Sequence, residues 1–206
     1  MKPAFILLLF LFPGLLPKPT RADSTTINFE NLSDSTTVGS AYASSGVIFT
    51  NAVILTAGES LNELDFPPHS GSNVVGDVFG PITLTFLTPV SSFSGFFTYA
   101  AHLTLDGYGS SNQLLVTASS LFSANSVSSG NQPNELIQLN FSGGINSVTI
   151  TGDPAGSSFA LDDVSFTTVP TNTVPEPGSV SLLFTGIALA LVIGRHKLLI
   201  ASFTRN

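Results

Sequence analysis

The feature that most constrains the fold is a two-residue alternation of apolar and polar side chains. In residues 82–86 every second side chain is apolar, namely Ile82, Leu84 and Phe86. A period of two places successive side chains on opposite faces of an extended strand, so one face is buried and the other is wet. Helical periodicity is nearly absent from residues 23–168. This region is therefore predicted to be all-β.

Short apolar segments of this kind recur along the region, separated by Ser, Thr, Asn and Gly residues that favour turns. About nine strands at this spacing predict an antiparallel β-sandwich of the jelly-roll type. The chain has no cysteine, so disulfides and thiol chemistry are excluded. The predicted strands are residues 26–31, 47–56, 82–88, 92–99, 102–108, 113–118, 135–141, 147–151 and 158–167.

Charge is distributed very unevenly. All six Lys and Arg residues lie outside residues 23–194, whereas all thirteen carboxylates lie between Asp23 and Glu176. Contact with nucleic acid needs Lys or Arg to neutralise phosphates, and sulfated or uronic sugars are usually bound by the same groups. Nucleic acid is therefore excluded as a partner. An acidic polymer is excluded unless a divalent cation bridges it to the protein.

The N-terminus predicts export. Met1-Lys2 supplies a positive start, residues 4–16 are apolar, and Ala22 places a small residue before Asp23. This is the order of a secretory signal peptide, here residues 1–22, removed by signal peptidase. Because Arg21 lies beside the cleavage point, a retained N-terminal anchor is the alternative. Residues 23–168 then form one domain outside the cytoplasm.

The C-terminus contains a short motif, an apolar run and a basic cluster. Residues 169–174 form a Pro- and Thr-containing linker, followed by Pro175-Glu176-Pro177, the apolar residues 180–193 and the basic cluster Arg195-His196-Lys197. The apolar run predicts a transmembrane helix, short against the roughly 20 residues a spanning helix needs. The basic cluster stays on the cytoplasmic side.

Residues 175–197 resemble the PEP-CTERM sorting domain of Gram-negative bacteria. The resemblance implies recognition of Pro175, Glu176 and Pro177 by an exosortase, transit through the inner membrane, and a final location at the cell surface or in an extracellular polysaccharide matrix. The chain departs from the family pattern because residues 198–206 continue past the basic cluster. The alternative is a simple C-terminal membrane anchor.

Adjacent carboxylates near the end of the domain suggest a metal site. The alternation of apolar residues slips at Asp162 and Asp163, which predicts a β-bulge. Two carboxylates in a domain without Lys or Arg need another positive charge. Ca²⁺ is the hypothesis, because it binds oxygen ligands in irregular geometry. In the alternative both aspartates are exposed and bind nothing.

The same segment resembles the last strand of carbohydrate-binding jelly rolls, in which a closing Asp-Asp-Val stretch and an early Asn-Phe-Glu stretch share a structural calcium. The early stretch here is Asn28-Phe29-Glu30. The resemblance implies that terminal strands lie side by side and bring Glu30 near Asp162 or Asp163.

Evidence for sugar binding and for catalysis is weaker. The chain has no Trp, so Tyr108 and Asp106, at the end of a predicted strand, are the glycan-binding candidates, with a plain surface hairpin as the alternative. His69 precedes Ser70 in a loop, but adjacency in sequence is not a triad. No catalytic residue is predicted, and the protein is expected not to be an enzyme.

The sequence thus predicts an exported surface or matrix protein with a structural or adhesive role in an exopolysaccharide or biofilm matrix. Two alternatives stay open. One is a carbohydrate-binding module attached to matrix polysaccharide, and the other is a membrane-anchored surface domain.

Overall fold

The computed structural model describes residues 22–170 and the helical pair Gly186-Ile187. Apart from boundary residues and that pair, the predicted signal peptide, linker, sorting segment and tail lie outside the described residues. Within the described part of the chain, no helix is long and apolar enough to span a membrane.

The described domain is all-β, with two short 3₁₀ turns at Ala43–Ser45 and Val127–Ser129. All the strand pairs are antiparallel. The strands are β1 Ser24–Ile27, β2 Val47–Thr50, β3 Ala52–Thr56, β4 Asn73–Asp77, β5 Ile82–Tyr99, β6 Thr104–Tyr108, β7 Leu114–Ser119, β8 Glu135–Thr151 and β9 Phe159–Thr168.

Two long strands connect two packed layers. In the first layer the order is β2, the first half of β5, the second half of β8, β6 and β7. In the second layer the first half of β8 pairs with the second half of β5, which pairs with β9. On the far side of β9 lie β1 and β4, and β3 pairs with β4. The predicted β-sandwich is confirmed.

The long strands β5 and β8 each combine two strands that the sequence predicts as separate. Residues 82–88 and 92–99 form one strand, as do residues 135–141 and 147–151. The ladder between β5 and β8 slips around Val90, and Gly144 has φ 96°, a conformation that favours glycine. These irregularities allow each strand to continue from one layer into the other.

One predicted strand is in fact two. Residues 47–56 divide at Asn51, which has φ 59° and donates its amide to the carbonyl of Pro81 at 3.2 Å. β2 pairs with β5 and β3 pairs with β4, so the two pieces belong to different layers. Only the two polar residues Thr50 and Asn51 separate the apolar runs on either side, so the sequence predicted a single strand.

The prediction also missed β4, whose five residues are all buried. Val75 packs into the main core, and Val74 packs on the opposite face against Leu61 and Ala160. A strand covered on both faces shows no alternation, so the period-two signal was absent.

The main core lies between the layers. Phe86 of the first layer packs against Phe166 of β9, with ring centroids 5.1 Å apart. Phe93 and Phe97 of the second layer are 1% and 0% exposed. The alternation in β5 changes phase across its bend, so both halves direct apolar side chains into this core.

Candidate ligand-binding site beneath the β3–β4 loop

The predicted bulge lies within β9. Opposite β5, Phe96 pairs with Asp162 and Ser94 pairs with Ser165, so β9 contains one extra residue here. Asp163 has φ 46°. β1 pairs with β9 from Ser24 opposite Thr167 to Ile27 opposite Val164, so the terminal strands do lie side by side. The bulge and this pairing are both confirmed.

Asp162 is buried, with 1% of its surface exposed. Its Oδ2 accepts the backbone N–H groups of His69 and Ser70 at 2.9 and 2.8 Å, and its Oδ1 accepts that of Asp163 at 2.7 Å. Burial, with a smaller contribution from the neighbouring Asp163 charge, raises the pKa of Asp162 from 3.8 to about 6, against the opposing effect of these N–H donors.

Asp163 binds the side chains of the same two residues, His69 and Ser70. Its Oδ2 lies 2.6 Å from Nδ1 of His69, and its Oδ1 accepts the hydroxyl of Ser70 at 3.0 Å. The imidazole of His69 stacks on Phe96, with ring centroids 3.4 Å apart and an interplanar angle of 7°. The imidazole is therefore fixed in both position and orientation.

Glu30 binds the end of that loop. Its Oε1 accepts the N–H groups of Ser72 and Asn73 at 3.1 and 2.8 Å. Gly71 has φ 55°, and a Cβ at this position would collide with the Glu30 carboxylate. The positive φ favours glycine at residue 71, and a side chain there would displace the Glu30 carboxylate from its hydrogen bonds.

The three predicted calcium ligands thus meet one loop, residues 57–72 between β3 and β4, and the first residue after it. We call it the β3–β4 loop. The described residues contain no group of three His, Asp or Glu side chains placed to hold a metal ion. Both oxygens of Asp162 already accept N–H groups, whose positive ends would face a cation. A cation at Asp162 would have to displace these N–H groups, and calcium binding stays a prediction from the sequence alone.

The base of the loop is closed by further hydrogen bonds. The N–H of Ala57 donates to the carbonyl of Ser72 at 2.9 Å. Asp34 accepts the N–H of Thr56 at 2.9 Å and the hydroxyl of Ser60. The hydrogen bond from Ser60 contributes most to lowering the pKa of Asp34. Close ends and internal packing are the features of a compact Ω-type loop.

A cavity of about 210 Å³ lies between this loop and the outer face of the second layer. Its lining is mainly apolar, with Asn62 exposed beside it. Leu61 and Phe66 of the loop form one side and also pack on Val74 and Ala160. The full lining is Val53, Leu55, Leu61, Asn62, Phe66, Gly76, Asp77, Val78, Ser157, Phe159 and Ala160.

Asp77 fixes the backbone on the side of the cavity that the strands form. It is 3% exposed, and its carboxylate accepts the N–H groups of Ser158 and Phe159 at 2.9 and 3.3 Å and the hydroxyl of Ser158 at 3.2 Å. Burial raises the pKa of Asp77. Carboxylates thus fix the backbone on both sides of the cavity.

The predicted glycan candidates lie elsewhere. Tyr108 and Asp106 are half-buried residues within β6, and the inward-facing Leu105 and Gly107 are buried. Asp106 accepts the hydroxyl of Thr117 at 2.7 Å. The two candidates share the outer face of the first layer, inside a paired strand and not in a flexible loop.

Sequence reasoning missed the cavity. Leu61, Asn62 and Phe66 belong to a long connection without periodicity, and β4 gave no strand signal. Eight apolar or small residues separated by some hundred positions meet there only after β9 pairs with β4. The one available signal was the length of the 57–72 connection, since loops of more than about 12–15 residues are often functional.

No protein-family model and no curated protein matches the chain. Similar solved structures include a DUF4465 family protein from Bacteroides caccae, with a TM-score of 0.41 and 13% identity, covering 76% of this chain and 90% of that chain. Another is CBM35 from Paenibacillus barcinonensis, with a TM-score of 0.37 and 18% identity, covering 69% and 97%.

A third is the CBM22-1 xylan-binding domain from the same organism, with a TM-score of 0.41 and 10% identity, covering 75% of this chain and 99% of that domain. All three TM-scores are below 0.5 and all three identities are below 25%. These likenesses therefore carry no argument about function.

The raised pKa of Asp162 predicts that the stability of the protein depends on pH. Its carboxyl ¹³C resonance should titrate with a midpoint near pH 6. Because the folded pKa exceeds the unfolded value of 3.8, the stabilising contribution is complete below pH 4 and is lost as pH rises through 6. The free energy of unfolding, measured relative to Asp162→Asn, should fall by about 3 kcal/mol across that range. A midpoint below 4 would mean that the N–H donors outweigh burial.

Because both oxygens of Asp162 accept N–H groups, the observed geometry predicts that the stability of the protein is independent of calcium. The thermal midpoint of the protein should be the same in millimolar Ca²⁺ and in excess chelator, since ligand binding would otherwise stabilise the folded state. A calcium-dependent rise that disappears in Asp162→Asn would instead support the calcium site predicted from sequence.

Proposed function

We propose that this chain is an exported, non-enzymatic surface or matrix protein whose β-sandwich binds a neutral carbohydrate in the cavity beneath the β3–β4 loop. The observation that supports this proposal is the cavity itself, which combines an apolar lining with Asn62 and Ser157 among its polar members. Binding sites in proteins are commonly concave and apolar, with a few polar groups that orient the ligand.

The volume of the cavity is sufficient for one sugar ring. An apolar cavity of about 150 Å³ is enough to hold benzene, and this cavity is about 210 Å³. A pyranose presents C–H groups on one face and hydroxyls around its edge. Phe66, Leu61 and Leu55 are suited to the C–H face, and the Asn62 amide can both donate and accept hydrogen bonds. One terminal sugar residue is the natural occupant.

The negative charge of the domain favours a neutral ligand. Residues 22–170 contain no Lys or Arg and twelve of the thirteen carboxylates, Glu176 being the other. A uronic or sulfated sugar would meet no cationic partner and an unfavourable field. A neutral sugar needs only hydroxyl, amide and carboxylate partners, which the domain has.

The geometry around His69 supports a binding role over a hydrolytic one. In a Ser-His-Asp triad, the serine hydroxyl is hydrogen-bonded to one imidazole nitrogen, and the other nitrogen donates to the aspartate. Here the Ser70 hydroxyl donates to Asp163 and not to His69, so the carboxylate accepts from both side chains. The arrangement fixes the loop that covers the cavity.

A second binding surface is favoured by one observation. Tyr108 lies half-buried on the same strand face as Asp106, whose carboxylate is next to the exposed Thr117. An aromatic ring with neighbouring hydrogen-bonding groups can stack on a sugar. We assign this face the secondary role because nothing encloses a ligand there.

Sorting is part of the proposal. Pro175, Glu176 and Pro177, with the apolar and basic residues after them, would direct the chain through the inner membrane to an exosortase, and removal of the tail would release the domain to the surface or matrix. The competing hypothesis is a permanently anchored surface domain. Both place the β-sandwich outside the cytoplasm.

The ligand proposal predicts weak but specific sugar binding. With a panel of glucose, galactose, mannose, xylose and their disaccharides, at least one sugar should give saturation-transfer NMR signals with the full chain in lipid nanodiscs. Loss of one hydrogen bond in Asn62→Ala should weaken binding by about 2- to 10-fold. The matched control Asn140→Ala removes an exposed amide from β8, away from the cavity lining, and should leave binding unchanged.

No detectable binding by any member of the panel, or equal weakening by the two variants, would contradict the cavity proposal. Binding lost in Tyr108→Ala but kept in Asn62→Ala would transfer the function to the outer face of β6.

The sorting proposal predicts two forms of the native protein. Protein recovered from extracellular matrix should have an intact mass and a C-terminal peptide that show cleavage near residues 175–179. A population that is found only in membranes and still ends at Asn206 would instead show a permanent anchor.

A further inference from the structure

The buried and the exposed members of the cavity lining differ in chemistry. Leu61, Phe159 and Ala160 are only 7%, 4% and 5% exposed, and their side chains carry no polar atoms. Asn62 and Ser157 line the same cavity but are exposed. We call the first three residues the inner wall and the other two the rim. An occupant therefore meets C–H groups at the inner wall and hydrogen-bonding groups at the rim.

Asp77 is the polar side chain among the buried lining residues of this cavity, and it is already engaged. Its carboxylate accepts the N–H groups of Ser158 and Phe159 and the hydroxyl of Ser158. A ligand hydroxyl pressed against the inner wall would be left without a partner, which costs free energy. The inner part of the cavity thus suits a group without polar atoms.

Ser157 at the rim has an unusual backbone conformation. Its φ is 57°, in the left-handed region that residues other than glycine adopt at a cost in free energy. Its N–H donates to the carbonyl of Asp77 at 2.9 Å, which fixes this conformation. Its exposed hydroxyl, by contrast, makes no hydrogen bond within the described part of the chain.

The other non-glycine residues with positive φ have an evident reason for their identity. Ser35 donates its hydroxyl to Asp34 at 2.7 Å, and Phe29 is fully buried in the core. The remaining four are Asn or Asp, which tolerate this region, namely Asn51, Asn112, Asn134 and Asp163. Among the described residues, Ser157 is the strained position whose side chain has no such reason inside the protein. Strain of this kind is concentrated at binding sites, and this residue lines the cavity.

We propose that the sugar in the cavity is a 6-deoxyhexose, bound with its methyl group on the inner wall and with ring hydroxyls on Asn62 and Ser157. This inference rests on the proposed sugar binding and names its substrate class. An amide and a hydroxyl can each donate and accept a hydrogen bond, so the rim can hold two ring hydroxyls. The methyl group replaces the hydroxymethyl group of an ordinary hexose, and its contact with Phe159 and Ala160 removes apolar surface from water.

The matching hexose is disfavoured by one oxygen atom. In the same orientation its hydroxyl on the sixth carbon would lie against the inner wall and lose its hydrogen bonds to water. A mainly apolar pocket can discriminate against one added hydroxyl by up to about 100-fold. The 6-deoxy sugar should therefore bind roughly 5- to 100-fold more tightly than its hexose.

The first test uses pairs of sugars that differ only in that oxygen. The full chain in lipid nanodiscs is titrated with D-fucose and D-galactose, L-fucose and L-galactose, and L-rhamnose and L-mannose, and binding is followed by saturation-transfer NMR. In at least one pair the dissociation constant of the 6-deoxy member should be lower by roughly fivefold or more. Equal binding within every pair, or tighter binding of the hexoses, would overturn the 6-deoxyhexose assignment and leave the cavity proposal intact. No binding of any of the six sugars would contradict both.

The role of Ser157 is tested by a substitution that relieves the backbone. Ser157→Gly removes the hydroxyl and the strain together, so it should weaken binding of the 6-deoxy sugar by about 2- to 10-fold without lowering the thermal midpoint. The matched control Asn112→Gly changes a residue with the same φ of 57° in the turn between β6 and β7, and it should leave binding unchanged. Equal effects of the two variants on binding would contradict the role of Ser157.

The position of the methyl group is tested by a polar inner wall. Ala160→Ser places a hydroxyl there as a partner for the hydroxyl on the sixth carbon of the hexose. The preference for the 6-deoxy member of the pair should then fall toward equal binding, because the hexose regains a hydrogen bond. A preference that Ala160→Ser leaves unchanged would show that the methyl group lies elsewhere and would overturn the proposed orientation.

Discussion

The rest of this structure depends on hydrogen bonds from backbone N–H groups to carboxylates. With no Lys or Arg in residues 22–170, the buried Asp162 and Asp77 are stabilised by N–H groups of loops and strand ends. Asp65 does the same at the surface, accepting the N–H of Ser128 at 2.7 Å, the main cause of its lowered pKa. A buried charge without such donors would cost several kcal/mol.

These hydrogen bonds relate directly to the cavity. Glu30 and Asp162 bind consecutive parts of one segment, and this segment belongs to the loop whose Leu61 and Phe66 cover β4. Hydrogen bonds to charged groups contribute about 1.5–3 kcal/mol each, more than neutral ones. A loop held in this way can keep a ligand cavity preformed, which lowers the entropic cost of binding.

The sequence indicated the strands of the sandwich because their side chains alternate, and it indicated the bulge because the alternation fails at Asp162. Its errors have separate physical causes. β4 is covered on both faces and has no period-two signal. The turn at Asn51 is only two polar residues between apolar runs, and the bends within β5 and β8 resemble strand ends in the sequence. The carboxylates were recognised as important, but their partners are backbone N–H groups. Such donors are present in every non-proline residue, so no sequence motif could reveal them.

Whether Asp162 holds the β3–β4 loop can be measured directly by NMR, from scalar couplings across the hydrogen bonds between the amide nitrogens of His69 and Ser70 and the carboxylate carbon of Asp162. We expect a measurable coupling to each nitrogen and slow exchange of both amide protons. Absent couplings together with fast exchange at both residues would show that Asp162 does not hold the loop, and the preformed cavity would lose its physical basis.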